Sequence, residues 1–138
     1  MKFREMTESD IEFMAVHSAS KGIFDKMPSQ IAYAYAVEQD GVVLGVGGIQ
    51  LINSVTAWVW VDISEYGRTM MKSGYRIIKE WLDELIKIHK LKRLQAYVRL
   101  DFPEAIRMIE HLGFKIECVM KKFTDDGKDA FLYVKFME

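Results

Sequence analysis

Residues 93–115 read RLQAYVRLDFPEAIRMIEHLGFK, and this stretch decides the fold. Its first part, residues 93–100, alternates in character and predicts a β-strand. Pro103 suits the first turn of a helix, because its fixed φ is helical and its missing N–H leaves no donor unsatisfied there. Gly113 suits the left-handed residue that commonly ends a helix. The stretch therefore predicts a strand followed closely by a short helix.

Upstream of this stretch, a long helical pattern joins two predicted strands. Residues 69–90 carry apolar side chains at spacings of three and four, which is typical of an amphipathic helix. Residues 55–63, VTAWVWVDI, include an apolar run that indicates a strand buried on both faces. A strand, a long helix and a second strand normally form a right-handed crossover between parallel strands. We therefore expect strands 55–63 and 93–100 to be parallel.

The other segments predict antiparallel strands. Asp40-Gly41 is a strong signal for a two-residue hairpin turn. The glycines of the strand after it, Gly45, Gly47 and Gly48, suggest a bulge or a close approach of another backbone. The predicted strands are 2–6, 34–39, 42–52, 115–123 and 130–137.

The N-terminal segment predicts a helix that begins after Thr7, with Asp10 three residues on as in a capping box. We expect it to end near Lys21-Gly22 and to direct one face inward. That face comprises Ile11, Met14, Ala15 and Ser18. Residues 23–31 predict a loop with one short helical turn.

The resulting order is β-α-(α)-β-β-β-α-β-α-β-β, which predicts an α/β (α+β) fold with a mixed central sheet of six to seven strands flanked by helices. The chain has 138 residues, half of them hydrophobic. This length suits one domain over residues 1–138 with an ample apolar core.

Composition excludes several classes of protein. One cysteine, Cys118, allows neither an internal disulfide nor a Cys-based metal cluster, and we expect it to be a small buried hydrophobe. The three histidines lie on separate helices, so no metal site is predicted.

No stretch is long and apolar enough to span a membrane, and the charged N-terminus argues against a secretory signal. The net charge of −1 and the lack of a binding motif disfavour nucleic acid. We expect a cytoplasmic protein.

The element order, together with PEAIRMIEHLGFK, resembles the GNAT superfamily of N-acetyltransferases over nearly the whole chain. Four residues match the superfamily's penultimate helix in register: Ala105, Ile106, Gly113 and Phe114. The resemblance implies acetyl-CoA as co-substrate, with its pyrophosphate at a helix N-terminus and its pantetheine arm between two splayed parallel strands. It implies a cofactor-binding set of Val61, Asp62, Ile63, Arg68, Thr69, Met70, Met71, Lys72, Ser73, Gly74, Leu100, Asp101 and Ile106.

Three positions depart from the superfamily's pattern. Met71 replaces a glycine of the phosphate loop, and its side chain either points away or fills the phosphate site. Ile109 replaces the tyrosine that often protonates the departing thiolate, and Phe102 replaces an asparagine. Neither Ile109 nor Phe102 can transfer a proton.

Two residues are candidates for the chemistry that these departures leave open. Asp62, at the end of the buried strand, is the candidate base, or else a carboxylate that only caps local N–H groups. Tyr97 is the candidate acid, or else half-buried packing. Glu38 and Tyr133 are weaker candidates.

The predicted function is transfer of an acetyl group from acetyl-CoA to a primary amine of a small molecule or a protein. The alternative is a GNAT-like binding or structural protein without catalysis. The eroded phosphate loop resembles that of small acyltransferase-like phage proteins, so a phage origin belongs to this alternative. The exposed edge of the last hairpin predicts a possible homodimer.

Overall fold

The computed structural model describes residues 2–18 and 33–137, with the side chains of Phe3 and of residues 70–74 left out. The short helical turn predicted within 23–31 lies outside the described residues. The elements, in chain order, are β1 (Lys2–Glu5), α1 (Glu8–His17), β2 (Tyr33–Gln39), β3 (Val42–Leu51), β4 (Thr56–Ile63), a 3₁₀ turn (Arg68–Met70), α2 (Met71–His89), β5 (Arg93–Arg99), α3 (Pro103–His111), β6 (Lys115–Met120) and β7 (Ala130–Phe136).

The strands form one seven-stranded mixed sheet in the order β1-β2-β3-β4-β5-β7-β6. β4 and β5 are parallel, as the crossover argument predicts, and their ladder has three residue pairs from Thr56–Arg93 to Trp58–Gln95. The pairs β1–β2, β2–β3, β5–β7 and β6–β7 are antiparallel. The predicted α/β class and strand number are confirmed.

The chain divides into two compact units. The first comprises Met1–Gln50 and Trp60–Ile78, and the second comprises Leu51–Val59 and Lys79–Glu138. The expectation of one domain over residues 1–138 stays a prediction.

The core of the first unit lies where α1 packs on strands β2, β3 and β4. Met14 is the residue that α1 contributes to it, and Trp60 is the contribution of β4. Burying such side chains stabilises the fold by about 1.5–3 kcal/mol each. The cluster consists of Met14, Ala36, Val43, Val46 and Trp60, with Met6, Phe13 and Ala34 packed against it.

In the second unit, α3 follows the sequence signals closely. Pro103 is its first residue, and Gly113 follows its end with φ +92°, a left-handed conformation that favours glycine. Its inward residues Ile109 and Leu112 are buried. The alternate residues of β5 that are almost wholly buried are Leu94, Ala96 and Val98.

The prediction for the end of α1 is wrong. The helix ends at His17, because Ser18 has an extended backbone (φ −60°, ψ 132°) and forms a β-bridge with Ser64. The predicted inward face is also wrong in part, since Ile11 and Ala15 are exposed. Asp10 is buried instead beside Met14, because Arg4 binds its carboxylate at 2.7 and 2.8 Å.

The prediction that Cys118 is buried is also wrong. Cys118 is exposed, because β6 is the last strand of the sheet and five of its six residues are exposed. An edge strand has a neighbour on one side only, so an apolar residue on it need not be in the core.

Within residues 2–18 and 33–137, no helix combines the length and the apolar character that crossing a membrane requires.

Candidate functional site

The carboxylate of Asp62 is buried near the end of β4, with 4% of the residue exposed. The hydroxyl of Ser18 donates a hydrogen bond to its Oδ1 at 2.5 Å. A buried carboxylate is costly unless hydrogen bonds or charges compensate for the lost water. The hydrogen bond from Ser18, the residue that follows α1, therefore compensates in part for burying the Asp62 carboxylate in the first unit.

Backbone and side-chain bonds fasten the end of α1 to the segment that follows β4. Ser18 bridges Ser64, and the Glu65 N–H donates to the carbonyl of His17 at 2.8 Å. The side chains repeat this contact, since Nδ1 of His17 lies 2.9 Å from Oε1 of Glu65. The His17 ring also contacts Tyr66, with centroids 5.5 Å apart. We call the set of residues 17–18 and 62–65 the α1–β4 clamp.

A β-bulge in β3 supplies the acceptor that holds the segment after β4. Val37 pairs with Gly45 and Glu38 with Val43, so Leu44 is the extra residue. The Leu44 carbonyl accepts bonds from the Ser64 N–H at 2.9 Å and from the Ser64 hydroxyl at 3.1 Å. Both alternatives predicted from the glycines of this strand are present: the bulge falls on Leu44, next to Gly45, and another backbone comes close at Gly48, where a Cβ would lie 2.3 Å from the Tyr33 carbonyl oxygen. The bulge anchors the turn that leads to α2.

Gly67 occupies a space that no other residue fits. A Cβ on Gly67 would lie 2.1 Å from the Leu44 carbonyl oxygen. The Gly67 N–H donates to the Ser64 carbonyl at 3.0 Å and lies 3.2 Å from the Ser64 hydroxyl oxygen. The sequence argument looked for a glycine at position 71 and missed this one. The pattern Ser64-x-x-Gly67 directly after a buried strand is the signal that could have revealed it.

The helix that would bind the pyrophosphate begins later than predicted. Arg68–Met70 is a 3₁₀ turn, and α2 starts at Met71 rather than near Thr69. Arg68 and Thr69 are exposed, and the Thr69 hydroxyl donates to the Tyr66 carbonyl at 3.3 Å. Lys72, Ser73 and Gly74 thus belong to the first turn of α2, whose N–H groups have no partners within the helix. The direction of the Met71 side chain lies outside what the structure describes.

The second unit contributes the predicted residues of β5 and α3. Tyr97 is half-buried, with its ring edge-on to Phe123 and centroids 4.7 Å apart. Leu100 is exposed, and Ile106 is half-buried on α3. These residues lie within ten positions of each other at the end of β5.

Asp101 takes part in an ion-pair network that joins two loops of the second unit. Arg99, almost fully buried, donates to both oxygens of Asp101 at 3.0 and 3.1 Å and to Asp126 at 2.9 Å. The hydrogen bond from Arg99 holds the pKa of Asp101 below its usual value. Thr124 donates to Asp126 and lowers the pKa of that carboxyl further than Arg99 does. Asp101 is therefore charged and positioned.

The departures from the GNAT pattern have structural roles here. Ile109 is 6% exposed and belongs to the core of the second unit, and Phe102 precedes α3 as its N-cap residue.

The weaker candidate Tyr133 is also buried, and its hydroxyl donates to Glu110 at 3.2 Å. Burial, followed by the Glu110 contact, raises the Tyr133 pKa. The Tyr133 hydroxyl is therefore engaged by Glu110 and stays protonated at neutral pH.

The weaker candidate Glu38 belongs to another network of the first unit. Its Oε2 accepts a hydrogen bond from Arg4 at 3.2 Å. In the part of the chain that the structure describes, no group of three or more His, Cys, Asp or Glu side chains could hold a metal ion.

The predicted site residues thus fall into two sets. Within the first unit, one continuous segment brings together the end of β4, the turn at Gly67 and the start of α2, and it carries Val61, Asp62, Ile63 and residues 68–74. Within the second unit, β5 and the start of α3 carry Tyr97, Leu100, Asp101 and Ile106. Sequence reasoning placed Ser18 on the inner face of α1 but missed its bond to Asp62, and it missed Ser64 altogether.

Comparison with solved structures decides the fold family. Ard1 from Thermoplasma volcanium superposes with a TM-score of 0.79 at 19% identity, covering 99% of this chain and 97% of that one. A GNAT family acetyltransferase from Elizabethkingia anophelis with acetyl-CoA bound gives 0.76 at 14% identity, with coverages of 99% and 97%. This chain has the GNAT fold. The ribosomal-protein-S18-alanine N-acetyltransferase from Escherichia coli gives 0.74 at 17% identity, with coverages of 99% and 94%.

The GNAT fold is supported by structure alone. No protein-family model matches the sequence, and a search of curated proteins gives no match. The three structures come from cellular organisms and lend no support to a phage origin.

Proposed function

We propose that this chain transfers an acetyl group from acetyl-CoA to a primary amine. The observation that carries the proposal is the buried carboxylate of Asp62 at the end of β4, fixed by Ser18 and followed by a helix start. It is supported by a fold shared with the ribosomal-protein-S18-alanine N-acetyltransferase and with the GNAT family acetyltransferase, over 94% and 97% of their chains.

The described residues fit acetyl-CoA in two respects. Arg68, an exposed residue, is the first of the 3₁₀ turn that precedes α2, and a cation beside a helix N-terminus is a suitable environment for a pyrophosphate. Val61 and Ile63 flank Asp62 on β4 and are partly exposed, so they can contact an acyl group. Leu100, Asp101 and Ile106 of the second unit stay predictions from the sequence as residues that contact the co-substrate.

The chemistry needs a neutral amine, a polarised thioester carbonyl and a route for one proton. In the proposed reaction, the amine nitrogen forms a bond to the acetyl carbon and the C–S bond breaks. Asp62 accepts the proton that the nitrogen loses, directly or through water. A backbone N–H polarises the carbonyl, and the departing thiolate takes up one proton, for which Tyr97 stays the candidate acid predicted from the sequence.

A second candidate function is binding without catalysis. It is favoured by Ile109, which lies in the core at the position where the superfamily often has its acidic tyrosine. This candidate predicts that acetyl-CoA binds without turnover, or that it does not bind at all. With either function, we propose that the protein is cytoplasmic, because a reducing compartment keeps its single, exposed Cys118 as a free thiol.

Isothermal titration with acetyl-CoA tests the proposal. We expect a dissociation constant well below millimolar for the wild-type chain and about tenfold weaker binding for Arg68→Ala, equivalent to about 1.4 kcal/mol. Arg76→Ala is the matched control, because Arg76 is an exposed arginine two turns further along the same segment. Release of free coenzyme A is then followed with a panel of peptides, lysine and small diamines as acceptors. Absence of acetyl-CoA binding would refute the proposal, and binding without release would favour the second candidate.

A further inference from the structure

The α1–β4 clamp brings the side chain of the residue that follows α1 to the candidate base. Ser18 lies immediately after the last residue of α1, and its hydroxyl donates to Asp62 Oδ1 at 2.5 Å. The two residues are 44 positions apart in sequence, so tertiary structure alone creates this contact. A hydroxyl that donates to a carboxylate favours the charged form and restricts its rotation about χ2.

The position of Ser18 is itself fixed by several independent bonds. Its N–H donates to the Met14 carbonyl at 3.0 Å, which completes the last turn of α1. Its backbone bridges Ser64, a residue with no exposed surface. The Glu65 N–H donates to the carbonyl of the preceding residue, His17. The backbone at Ser18 is consequently bonded to α1 on one side and to the segment after β4 on the other, and this fixes the position from which the hydroxyl donates to Asp62.

We propose that Ser18 is a positioning residue that orients the Asp62 carboxylate for accepting the proton of the acceptor amine. This inference rests on the proposed acetyl transfer and adds a residue from α1 to the machinery on β4. Positioning of a general base affects the chemical step, because proton transfer needs heavy atoms about 2.6–3.2 Å apart. We expect it to affect the binding of acetyl-CoA far less than the chemical step, since Ser18 itself is not among the residues predicted to bind the co-substrate, although its partner Asp62 is.

The test compares the wild-type chain with Ser18→Ala and Ser18→Thr. We expect Ser18→Ala to lower kcat by about 10- to 100-fold while the acetyl-CoA dissociation constant changes less than twofold. Ser18→Thr retains the hydroxyl and should restore most of kcat, which a loss of packing alone would not explain. Ser9→Ala is the matched control, because Ser9 is an exposed serine on the same helix, and it should leave kcat unchanged.

A double-mutant cycle on stability separates the hydrogen bond from the activity. Ser18→Ala, Asp62→Asn and the double variant should show a coupling of about tenfold in the unfolding equilibrium constant. An unchanged kcat in Ser18→Ala, or a loss that Ser18→Thr does not repair, would overturn the positioning role. A wild-type chain that binds no acetyl-CoA would instead overturn the proposed function, and the positioning role with it, whatever the cycle shows.

Discussion

At the scale of single residues, the segment after β4 depends on three neighbours that bond to one another. The bulged Leu44 presents its carbonyl, Ser64 donates to it with both N–H and hydroxyl, and Gly67 passes within van der Waals distance of it. A buried hydroxyl is tolerated because it both donates and accepts: the Ser64 hydroxyl donates to the Val43 carbonyl at 2.7 Å as well as to Leu44, and it accepts a bond from the Gly67 N–H at 3.2 Å. These contacts set where β4 ends, one residue after Asp62, and where α2 can begin.

Gly67→Ala should destabilise the protein strongly. The added Cβ would lie 2.1 Å from the Leu44 oxygen, so the backbone must move, at a cost of about 3 kcal/mol. Gly41→Ala is the control, because Gly41 has φ +79° with no atom within 4 Å of an added Cβ and should cost about 1 kcal/mol through its backbone conformation alone. Urea unfolding measures both. Equal losses for the two variants would contradict the steric argument.

Asp62→Asn tests the proposed base. The amide cannot accept a proton, so we expect kcat to fall by about 10²- to 10³-fold, a much larger effect than any weakening of acetyl-CoA binding. Asp83→Asn, at an exposed ion pair on α2, should behave as wild type. If Asp62→Asn turns over at the wild-type rate, Asp62 is not the base, and its role is to hold the clamp together.

At the scale of elements, α1 is attached at both ends by polar contacts rather than by a wide apolar face. At its end, His17 and Ser18 bond to the β4–α2 segment. At its start, the Asp10 carboxylate accepts bonds from Arg4 and from the Thr7 N–H at 2.7 Å. The predicted capping-box contact between Thr7 and Asp10 is thus present, and Arg4 of β1 turns it into a link between a strand and a helix.

The link between Arg4 and Asp10 predicts how stability depends on pH. The Arg4 hydrogen bonds are the largest cause of a lowered pKa of Asp10 in the folded state. A depressed folded-state pKa means that the carboxylate stabilises the fold above the unfolded-state pKa of about 3.9, and that this stabilisation is lost as pH falls through the folded-state pKa. Asp10→Asn should therefore cost about 2 kcal/mol at pH 7 and progressively less below pH 4.

Urea unfolding of the wild type and Asp10→Asn between pH 7 and pH 2.5 measures that difference. Asp83→Asn is the matched control, because the Lys79–Asp83 pair is exposed and should contribute less than about 0.5 kcal/mol at any pH. A difference between the wild type and Asp10→Asn that is constant with pH would show that the ion pair does not stabilise α1.

At the scale of the whole molecule, β1 and β6 are the two ends of the sheet. β6 is the more exposed apolar edge, with Ile116 51% and Val119 44% exposed. Unpaired strand edges of this kind are templates for pairing with another chain. The homodimer expected from the sequence stays a prediction, and β6 is the strand through which a second copy would pair.

Sedimentation velocity over a range of concentrations tests the dimer. We expect the wild-type chain to sediment as a dimer and Val119→Lys to sediment as a monomer, because two lysines would be placed together across a paired edge. Val16→Lys is the control, since Val16 is an equally apolar residue, 65% exposed, that belongs to α1 and not to β6. A wild-type monomer at every concentration would exclude the edge as an interface.

Local signals in the sequence were sufficient for most of the architecture. Asp40-Gly41, Pro103 and Gly113 mark a hairpin, a helix start and a helix end, because each depends on the conformation of one or two residues. The alternation and apolar runs of the strands follow from burial on one or two faces, which is why the parallel pair β4–β5 could be predicted. The position of Asp62 at the end of a buried strand was determined in the same way.

Only the tertiary structure decided what surrounds Asp62. The Ser18 hydroxyl, the Leu44 carbonyl and the close approach at Gly67 are contacts between residues that are 20 to 44 positions apart. The exposure of Cys118 likewise depends on which strand lies at the edge of the sheet. No periodicity or propensity encodes such contacts, because their geometry is set by the packing of elements and not by the conformational preference of any one residue.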